Sequence, residues 1–265
     1  MIISTWMWSL LRSLTQRWEI IYKSKIIKLP LWKTSQMKKH IFFDLDHTIW
    51  DFDRNAEETL NELYHTYKLD ELGLKSCADF ISTYTENNHQ LWADYHLGKI
   101  TKDFLRSERF SKTFIQLGIH PDAVPHQFED DYVSISPTKT NLFDGAENVL
   151  AYLQQKYTLH IISNGFKETT LTKMNLSNLN PYFENVIISE DVGVNKPNPV
   201  IFEYALDKAK AIKAESIMIG DSLEADIYGA LNFGMEAIFF NPLQKEKPAD
   251  VKQEIVHLEE LLKLF

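Results

Sequence analysis

Two carboxylates separated by one residue follow a short apolar segment early in the chain. Asp44 and Asp46 come directly after residues 40–43, and alternate residues of an extended chain point to the same side, so both can face one cavity. Two close carboxylates repel each other, and a divalent cation relieves this repulsion. One aspartate can then attack a substrate while the other transfers a proton. The same triplet is also common in solvated surface loops, so it does not define a site alone.

Three further polar groups occur later in the chain, each after an apolar segment or at a helix start. Ser163 and Asn164 precede a predicted helix, where a hydroxyl and backbone N–H groups can hold a phosphate. Lys196 lies between an asparagine and a proline and offers a fixed positive charge for a phosphoryl group. Asp221 can join Asp44 on a hard cation, and Asp226 can bond to Lys196 or to metal-bound water. Singly, these groups have plainer interpretations: an ordinary turn, a solvated lysine and an N-capping aspartate.

Apolar runs predict the strands that position these groups. They lie at 40–43, 157–162, 185–188, 216–219 and 236–240. Helical periodicity separates most of them, at 145–156, 199–210 and 223–233, and recurs at 250–264. This alternation predicts an α/β fold, a Rossmann-like doubly wound parallel sheet with right-handed crossovers. Such sheets bind ligands at the carboxyl ends of their strands, and we expect the four polar groups to converge there.

Residues 54–140 interrupt the alternation of strands and helices. They are rich in helix formers and aromatic residues, and helices are predicted near 55–68, 77–96, 102–117 and 121–133. An all-helical insert after the first strand would cover the carboxyl edge of the sheet as a lid. The predicted organisation is a basic extension at 1–36, a core at 37–53 and 141–265, and a helical cap at 54–140.

The composition narrows the classes of partner. A net charge of −9 argues against a nucleic-acid polymer, which needs a basic face. Cys77 is the single cysteine, so no internal disulfide can form and a reducing, cytoplasmic location is expected. Residues 1–36 carry six basic residues and one acid. Their apolar runs are too short to span a membrane, and we expect a disordered tail or an upstream-start artefact, with an amphipathic helix on a membrane surface as the alternative.

Four motifs resemble those of a known superfamily. DLDHT, SNG, NKP and GDSLEAD, in that order, resemble the motifs of the haloacid-dehalogenase (HAD) superfamily of phosphatases, over about residues 38–242. The helical insert resembles the C1 cap of its β-phosphoglucomutase-like branch. More narrowly, residues 42–53 resemble the opening of pyrimidine 5′-nucleotidases that also act on noncanonical nucleotides, and residues 98–101 and 106–110 fit that group.

The resemblance implies a Mg²⁺-dependent hydrolase of a small phosphorylated metabolite. Asp44 would attack phosphorus to give an aspartyl-phosphate, and Asp46 would protonate the leaving alkoxide and then activate water. Lys196 would act in catalysis and, with Ser163 and Asn164, would bind the phosphoryl oxygens. The metal ligands would be Asp44, the backbone carbonyl of Asp46, Asp221 and Asp226.

The implied substrate is a pyrimidine nucleoside 5′-monophosphate, bound by a monomer or a homodimer. Aromatic residues between 50 and 95 suit a base pocket, with Thr48, Trp50 and Arg109 as predicted contacts, although packing between cap helices is favoured for Tyr84 and Trp92. The alternatives are a phosphoglycolate or sugar-phosphate phosphatase, a β-phosphoglucomutase-like mutase and, more remotely, a non-catalytic binding protein on the same fold. A dehalogenase on this scaffold needs neither a metal nor an acid at position 46, so the presence of Asp46 and Asp221 argues against that activity.

Overall fold

A computed structural model describes residues 38–265, and the extension predicted at 1–36 lies outside the described residues. Six strands occur in the described part of the chain. They are β1 His40–Phe43, β2 Thr158–Ser163, β3 Asn185–Ile188, β4 Ser216–Gly220, β5 Glu236–Phe240 and β6 Glu254–Ile255. All pair in parallel in one sheet of order β3-β2-β1-β4-β5-β6. The predicted doubly wound parallel sheet is therefore confirmed, with β1 at its centre.

Helices cover both faces of this sheet. In chain order they are α1 Phe52–Thr66, α2 Cys77–His96, α3 Lys102–Gln116, α4 Phe128–Ile135, α5 Ala146–Leu153, α6 Lys167–Leu176, α7 Ser189–Val192, α8 Pro199–Ala209, α9 Gly229–Phe233 and α10 Leu261–Leu264. Short 3₁₀ segments occur at Pro121–Ala123, Ser136–Thr138, Asn180–Tyr182, Lys213–Glu215 and Leu258–Glu260, and a π-helical turn at Leu223–Tyr228. Helices α5, α6 and α10 share a core with one face of the sheet, and α8 and α9 share a core with the other.

The burial of β1 on both faces explains why its apolar residues do not alternate with polar ones. Ile41 and Phe43 belong to the core on one face, Phe42 belongs to the core on the other, and all three are fully buried. A parallel strand covered on both sides needs apolar residues at every position.

Helices α1 to α4 lie in the insert between β1 and β2 that the sequence predicts as a cap, and their buried aromatic residues belong to the same core as one face of the sheet. The two segments that connect it to the sheet are joined: the Asn55 amide donates to the Asn141 carbonyl at 2.9 Å, and the Asn141 backbone N–H donates to the Asn55 side chain at 3.1 Å. Lys102 of α3 also pairs with Glu168 and Glu190, which ties the cap to the sheet domain. None of the helices in residues 38–265 has the length and apolar character that a membrane crossing requires.

The helix predicted at 121–133 is wrong as a single element. A 3₁₀ turn at Pro121–Ala123 is followed by an extended residue, Val124, and α4 begins only at Phe128. Pro125 causes the break, because a proline disfavours the helical conformation of the residue before it and donates no backbone hydrogen bond.

The helix predicted at 250–264 is also wrong over most of its length. Residues Glu254–Ile255 form β6, and helical structure is limited to Leu258–Glu260 and Leu261–Leu264. The backbone N–H of Phe239 donates to the Gln253 carbonyl at 3.0 Å, and that of Asn241 donates to the Ile255 carbonyl at 2.8 Å. The open edge of β5 therefore recruits this segment, and its pairing overrides the helical periodicity.

The aromatic core of the cap can be tested with one pair of substitutions. Phe80 is fully buried in α2, whereas the side chain of Phe104 in α3 is 47% exposed. Phe80→Ala should lower the free energy of unfolding by about 3–5 kcal/mol through lost burial and a cavity, and Phe104→Ala should change it by about 0.5 kcal/mol or less. Urea denaturation followed by circular dichroism measures both values. Equal losses would contradict the assigned core.

Candidate active site

The chain turns sharply immediately after β1. The backbone N–H of Asp44 donates to the Ile219 carbonyl of β4 at 2.9 Å, which continues the sheet by one residue. The N–H groups of Ile49 and Trp50 then both donate to the Leu45 carbonyl at 2.9 Å, and His47 adopts a left-handed conformation with φ of +59°. This compact loop keeps Asp44 and Asp46 beside the carboxyl ends of the central strands.

A buried lysine joins the loop after β1 to the rest of the site. The ammonium group of Lys196, which is 1% exposed, contacts Oδ1 of Asp44 at 2.5 Å, the Ile162 carbonyl at 2.6 Å and Oδ1 of Asp226 at 2.7 Å. Burial alone would lower the pKa of a lysine, but the charges of Asp226 and Asp44 more than offset it, so the pKa of Lys196 is raised and the group stays a cation.

The side chain of Asn164 holds Lys196 in place by bonding to the lysine backbone. The Asn164 side chain accepts a hydrogen bond from the Lys196 N–H at 2.8 Å and donates one to the Lys196 carbonyl at 2.9 Å. Both polar atoms of the Asn164 side chain are thereby engaged. The predicted contact of Asn164 with a substrate would therefore fall to its backbone N–H, while its side chain positions Lys196.

Three carboxylates meet at the carboxyl ends of β1 and β4. Ligand oxygens of Asp44, Asp221 and Asp226 all lie within 4.8 Å of one another, and the Thr48 hydroxyl donates to Oδ1 of Asp221 at 3.4 Å. Burial raises the pKa of Asp44 to about 7, with Asp226 and Asp46 adding to the rise and Lys196 opposing it. Burial and the charge of Asp44 raise the pKa of Asp221 well above its ordinary value.

This donor set fits a hard divalent cation. Two buried carboxylates and the half-buried carboxylate of Asp221 lie near one ammonium group, so the cluster carries an excess of negative charge whenever all three are ionised. Oxygen-only donors are the ligands that Mg²⁺ prefers. The carboxylate of Asp46 lies outside the triad, and its predicted metal contact, through the backbone carbonyl, stays a prediction.

The turn after β4 has no room for a larger residue. Ser222, not Asp221, caps the π-helical turn, because its hydroxyl accepts from the Ala225 N–H at 3.1 Å. The Ser222 N–H donates to Oδ2 of Asp226 at 3.1 Å. A Cβ added at Gly220 would lie 2.2 Å from Oδ2 of Asp226. Glycine at this position therefore allows Asp226 to approach the strand end and reach Lys196.

A second buried lysine, absent from the predicted site, holds Asp46. The ammonium group of Lys173 in α6 lies 2.6 Å from Oδ1 of Asp46, and it lies over the rings of Trp50 at 4.2 Å and Phe52 at 5.3 Å. Lys173 has no distinctive neighbours in sequence, and a lysine in a helix is usually solvated. Only the packing of α6 against the loop after β1 identifies it.

The side chains of Ser163 and Asp46 both lie close to Gly165. The Ser163 hydroxyl accepts from the Gly165 N–H at 3.0 Å. A Cβ added at Gly165 would lie 3.1 Å from the Ser163 hydroxyl and 3.2 Å from Oδ2 of Asp46. Glycine here leaves a small space next to a hydroxyl and the second carboxylate.

Two predicted substrate contacts are buried and bonded to other groups of the protein, and their contact with a substrate stays a prediction. Trp50 is fully buried and its indole N–H donates to the Lys139 carbonyl at 3.1 Å. Arg109 is 3% exposed and forms two hydrogen bonds with Glu129, both 2.8 Å long. Their size and polarity suggested a base pocket, but the interior of the protein uses both for packing and pairing. The expected packing role of Tyr84 is confirmed, since it is 1% exposed.

The parallel sheet and the carboxylate cluster at its strand ends are typical of one class of α/β hydrolases. Residues 38–234 match the family model of haloacid dehalogenase-like hydrolases. The chain belongs to this family, and the family resemblance of its four motifs is confirmed.

Individual relatives of known name are similar over most of the chain. Pyrimidine 5′-nucleotidase PynA of Streptococcus pneumoniae is 32% identical over 84% of this chain and 93% of its own length. A glyceraldehyde 3-phosphate phosphatase of Pyrococcus abyssi is 31% identical over 77% of this chain and 82% of its own length. The crystal structure of YfnB from Bacillus subtilis bound to magnesium is 30% identical, with a TM-score of 0.77, and the match covers 86% of this chain and 98% of that chain.

Substitution of Lys173 tests whether it positions Asp46 for proton transfer. Lys173→Met should lower kcat for alkyl phosphates by about 10–100-fold, part of the 10²–10⁴-fold contribution of general acid–base catalysis. The loss should be smaller with p-nitrophenyl phosphate, whose leaving group needs little protonation. Lys167→Met, which removes an exposed lysine of the same helix that pairs with Asp191, is the matched control. Equal losses with both substrates would indicate a merely structural role.

The raised pKa values predict that protons compete with the metal. The Mg²⁺ affinity should rise about tenfold between pH 6 and pH 8 from Asp44 alone, because the metal binds the ionised carboxylate and the pKa of Asp44 is about 7. The raised pKa of Asp221 should steepen this rise. Calorimetric titration at both pH values, in buffers of different ionisation enthalpy, counts the protons released. An affinity that does not change with pH would refute the prediction.

Proposed function

We propose that this protein is a Mg²⁺-dependent phosphatase that hydrolyses small phosphomonoesters through an aspartyl-phosphate, with a pyrimidine nucleoside 5′-monophosphate as its substrate. The observation that carries the proposal is the contact of buried Lys196 with Asp44 at 2.5 Å, beside a triad of carboxylates. A carboxylate held between a fixed cation and a metal-binding cluster is suited to attack an anionic phosphoryl group, because both positive charges offset the repulsion.

The metal would be held by Asp44, the backbone carbonyl of Asp46 and Asp221, with Asp226 close by. When bound, Mg²⁺ supplies positive charge that stabilises the phosphoryl oxygens as the transferred group separates from its ester. The family membership and the magnesium-bound structure of a relative support this choice of ion.

The residues of the chain then divide the reaction into two displacements. A carboxylate oxygen of Asp44 bonds to phosphorus while the bond from phosphorus to the ester oxygen breaks, and Asp46 gives its proton to the leaving alkoxide. Asp46 next takes a proton from water, whose oxygen attacks phosphorus. The bond between phosphorus and Asp44 breaks, which releases phosphate and restores the carboxylate.

Other side chains bind the phosphoryl group and hold the reacting groups. Lys196 and the Ser163 hydroxyl would contact the phosphoryl oxygens, which carry most of the charge of the transition state. Thr48 would act through Asp221, which its hydroxyl contacts at 3.4 Å. Lys173 would hold Asp46 in reach of the leaving group through its 2.6 Å contact.

The cap, residues 54–140, would act as a lid that selects the substrate. Phe166 directly follows the Ser163–Gly165 turn, and its ring packs on Trp92 at 5.0 Å and on Tyr95 at 5.9 Å. The cap therefore contacts the chain three residues from the proposed phosphate-binding hydroxyl. The interdomain movement reported for YfnB supports a lid that opens and closes.

The pyrimidine nucleotide is favoured by the segment at 42–53 and by the similarity to PynA, which spans both the core and the cap. A sugar-phosphate phosphatase is the second candidate, supported by the relative from Pyrococcus abyssi. The two activities share the same core groups, so the cap must distinguish them.

A substrate screen tests both parts of the proposal. With Mg²⁺, kcat/KM should be at least about tenfold higher for UMP, dUMP or dTMP than for glyceraldehyde 3-phosphate, phosphoglycolate or glucose 1-phosphate, a difference of about 1.4 kcal/mol in transition-state binding. Asp44→Asn and removal of the metal by EDTA should each abolish turnover.

The two parts fail in different ways. A clear preference for a sugar phosphate or phosphoglycolate would reject the nucleotide substrate and leave the phosphatase intact. Full activity of Asp44→Asn would reject the proposed nucleophile, whichever ester is preferred.

A further inference from the structure

A second group of metal-binding side chains lies beside the nucleophile loop and shares no residue with the carboxylate triad. Nδ1 of His47 lies 3.6 Å from Oδ2 of Asp53, and Nε2 of His89 lies 3.4 Å from Oδ1 of the same carboxylate. One ligand atom from each of the three residues lies within 4.8 Å of the other two. The three side chains come from separate elements: the loop after β1, the first turn of α1 and the middle of α2.

These separations exceed the about 2.7–3.2 Å that is usual for an N–H to oxygen hydrogen bond, so any hydrogen bond from either imidazole to Asp53 is weak. They match the distance between two ligands of one tetrahedral ion, because metal–ligand bonds of about 2.0–2.1 Å place neighbouring ligands roughly 3.4 Å apart. Two imidazoles and one carboxylate are also the donor set that favours zinc and its neighbours over Mg²⁺, which prefers oxygen alone.

We propose that His47, Asp53 and His89 form a second metal site that takes a borderline divalent ion such as Zn²⁺, with water as the fourth ligand. The side chains of Asp53 and His89 are each 49% exposed, and that of His47 is 28% exposed. An ion can therefore reach the site from solvent without unfolding the cap.

The position of the site gives a bound ion a specific effect. His47 lies in sequence between Asp46 and Thr48, so an ion at this site links the nucleophile loop directly to α2 of the cap. This link restrains both the loop and any movement of the cap relative to the sheet. Zn²⁺ binding should therefore inhibit turnover even when Mg²⁺ saturates the carboxylate triad.

Calorimetric titration of the full chain with Zn²⁺ in excess Mg²⁺ tests this site directly, without reference to activity. The unsubstituted protein should bind one equivalent. His89→Ala and Asp53→Asn should each lose that equivalent, and circular dichroism should show that both variants remain folded. His120→Ala is the matched control, because His120 is an exposed cap histidine that faces one carboxylate, Asp122 at 3.5 Å, and it should bind as the unsubstituted protein does.

The Asp221→Asn variant distinguishes this site from the carboxylate triad. It should still bind one equivalent of Zn²⁺. Addition of Zn²⁺ in excess Mg²⁺ should lower the turnover of the unsubstituted protein, and the ratio of activities with and without Zn²⁺ should return towards one in His89→Ala. Three results would each overturn the proposal: no Zn²⁺ bound in excess Mg²⁺, binding retained by both His89→Ala and Asp53→Asn, or binding abolished by Asp221→Asn.

Discussion

The ammonium group of Lys196 is held inside the protein by two carboxylates and a main-chain carbonyl. A buried charge is tolerated only when close partners replace its lost hydration, and removal of one partner from such a pair typically costs about 3–5 kcal/mol. The partners come from the end of β1, from β2 and from the turn after β4. They meet because β1 lies between β2 and β4 in the sheet. The order of the strands is thus a precondition of the charge balance at Asp44.

The same arrangement of strands explains why several residues of the site could be predicted from sequence. Asp44, Ser163 and Asp221 each follow an apolar segment, and parallel strands bring such positions to one edge. Lys173 was not predictable, because its contact with Asp46 depends on how α6 packs and leaves no local pattern. The burial of Arg109 was not predictable for a related reason: it depends on Glu129, twenty residues away in sequence and adjacent only after the cap folds.

The strands and helices also divide into those that a local sequence pattern predicts and those that depend on distant contacts. The central strands and most helices follow from periodicity, since their apolar patterns match the layers that bury them. Residues 254–255 carry a helical pattern but pair with β5, because unpaired backbone groups at a sheet edge attract any compatible segment. The break before Phe128 was readable in principle, as Pro125 is a local signal.

The two segments that connect the cap to the sheet are hydrogen-bonded to each other through Asn55 and Asn141. An insertion whose two ends lie side by side can change without changing the order of the strands. Its helices can accumulate substitutions, lengthen or be replaced during evolution, while the strand ends that hold Asp44 and Lys196 keep their geometry. Such an architecture lets a lineage acquire new preferences among esters without having to reinvent the bond-breaking step.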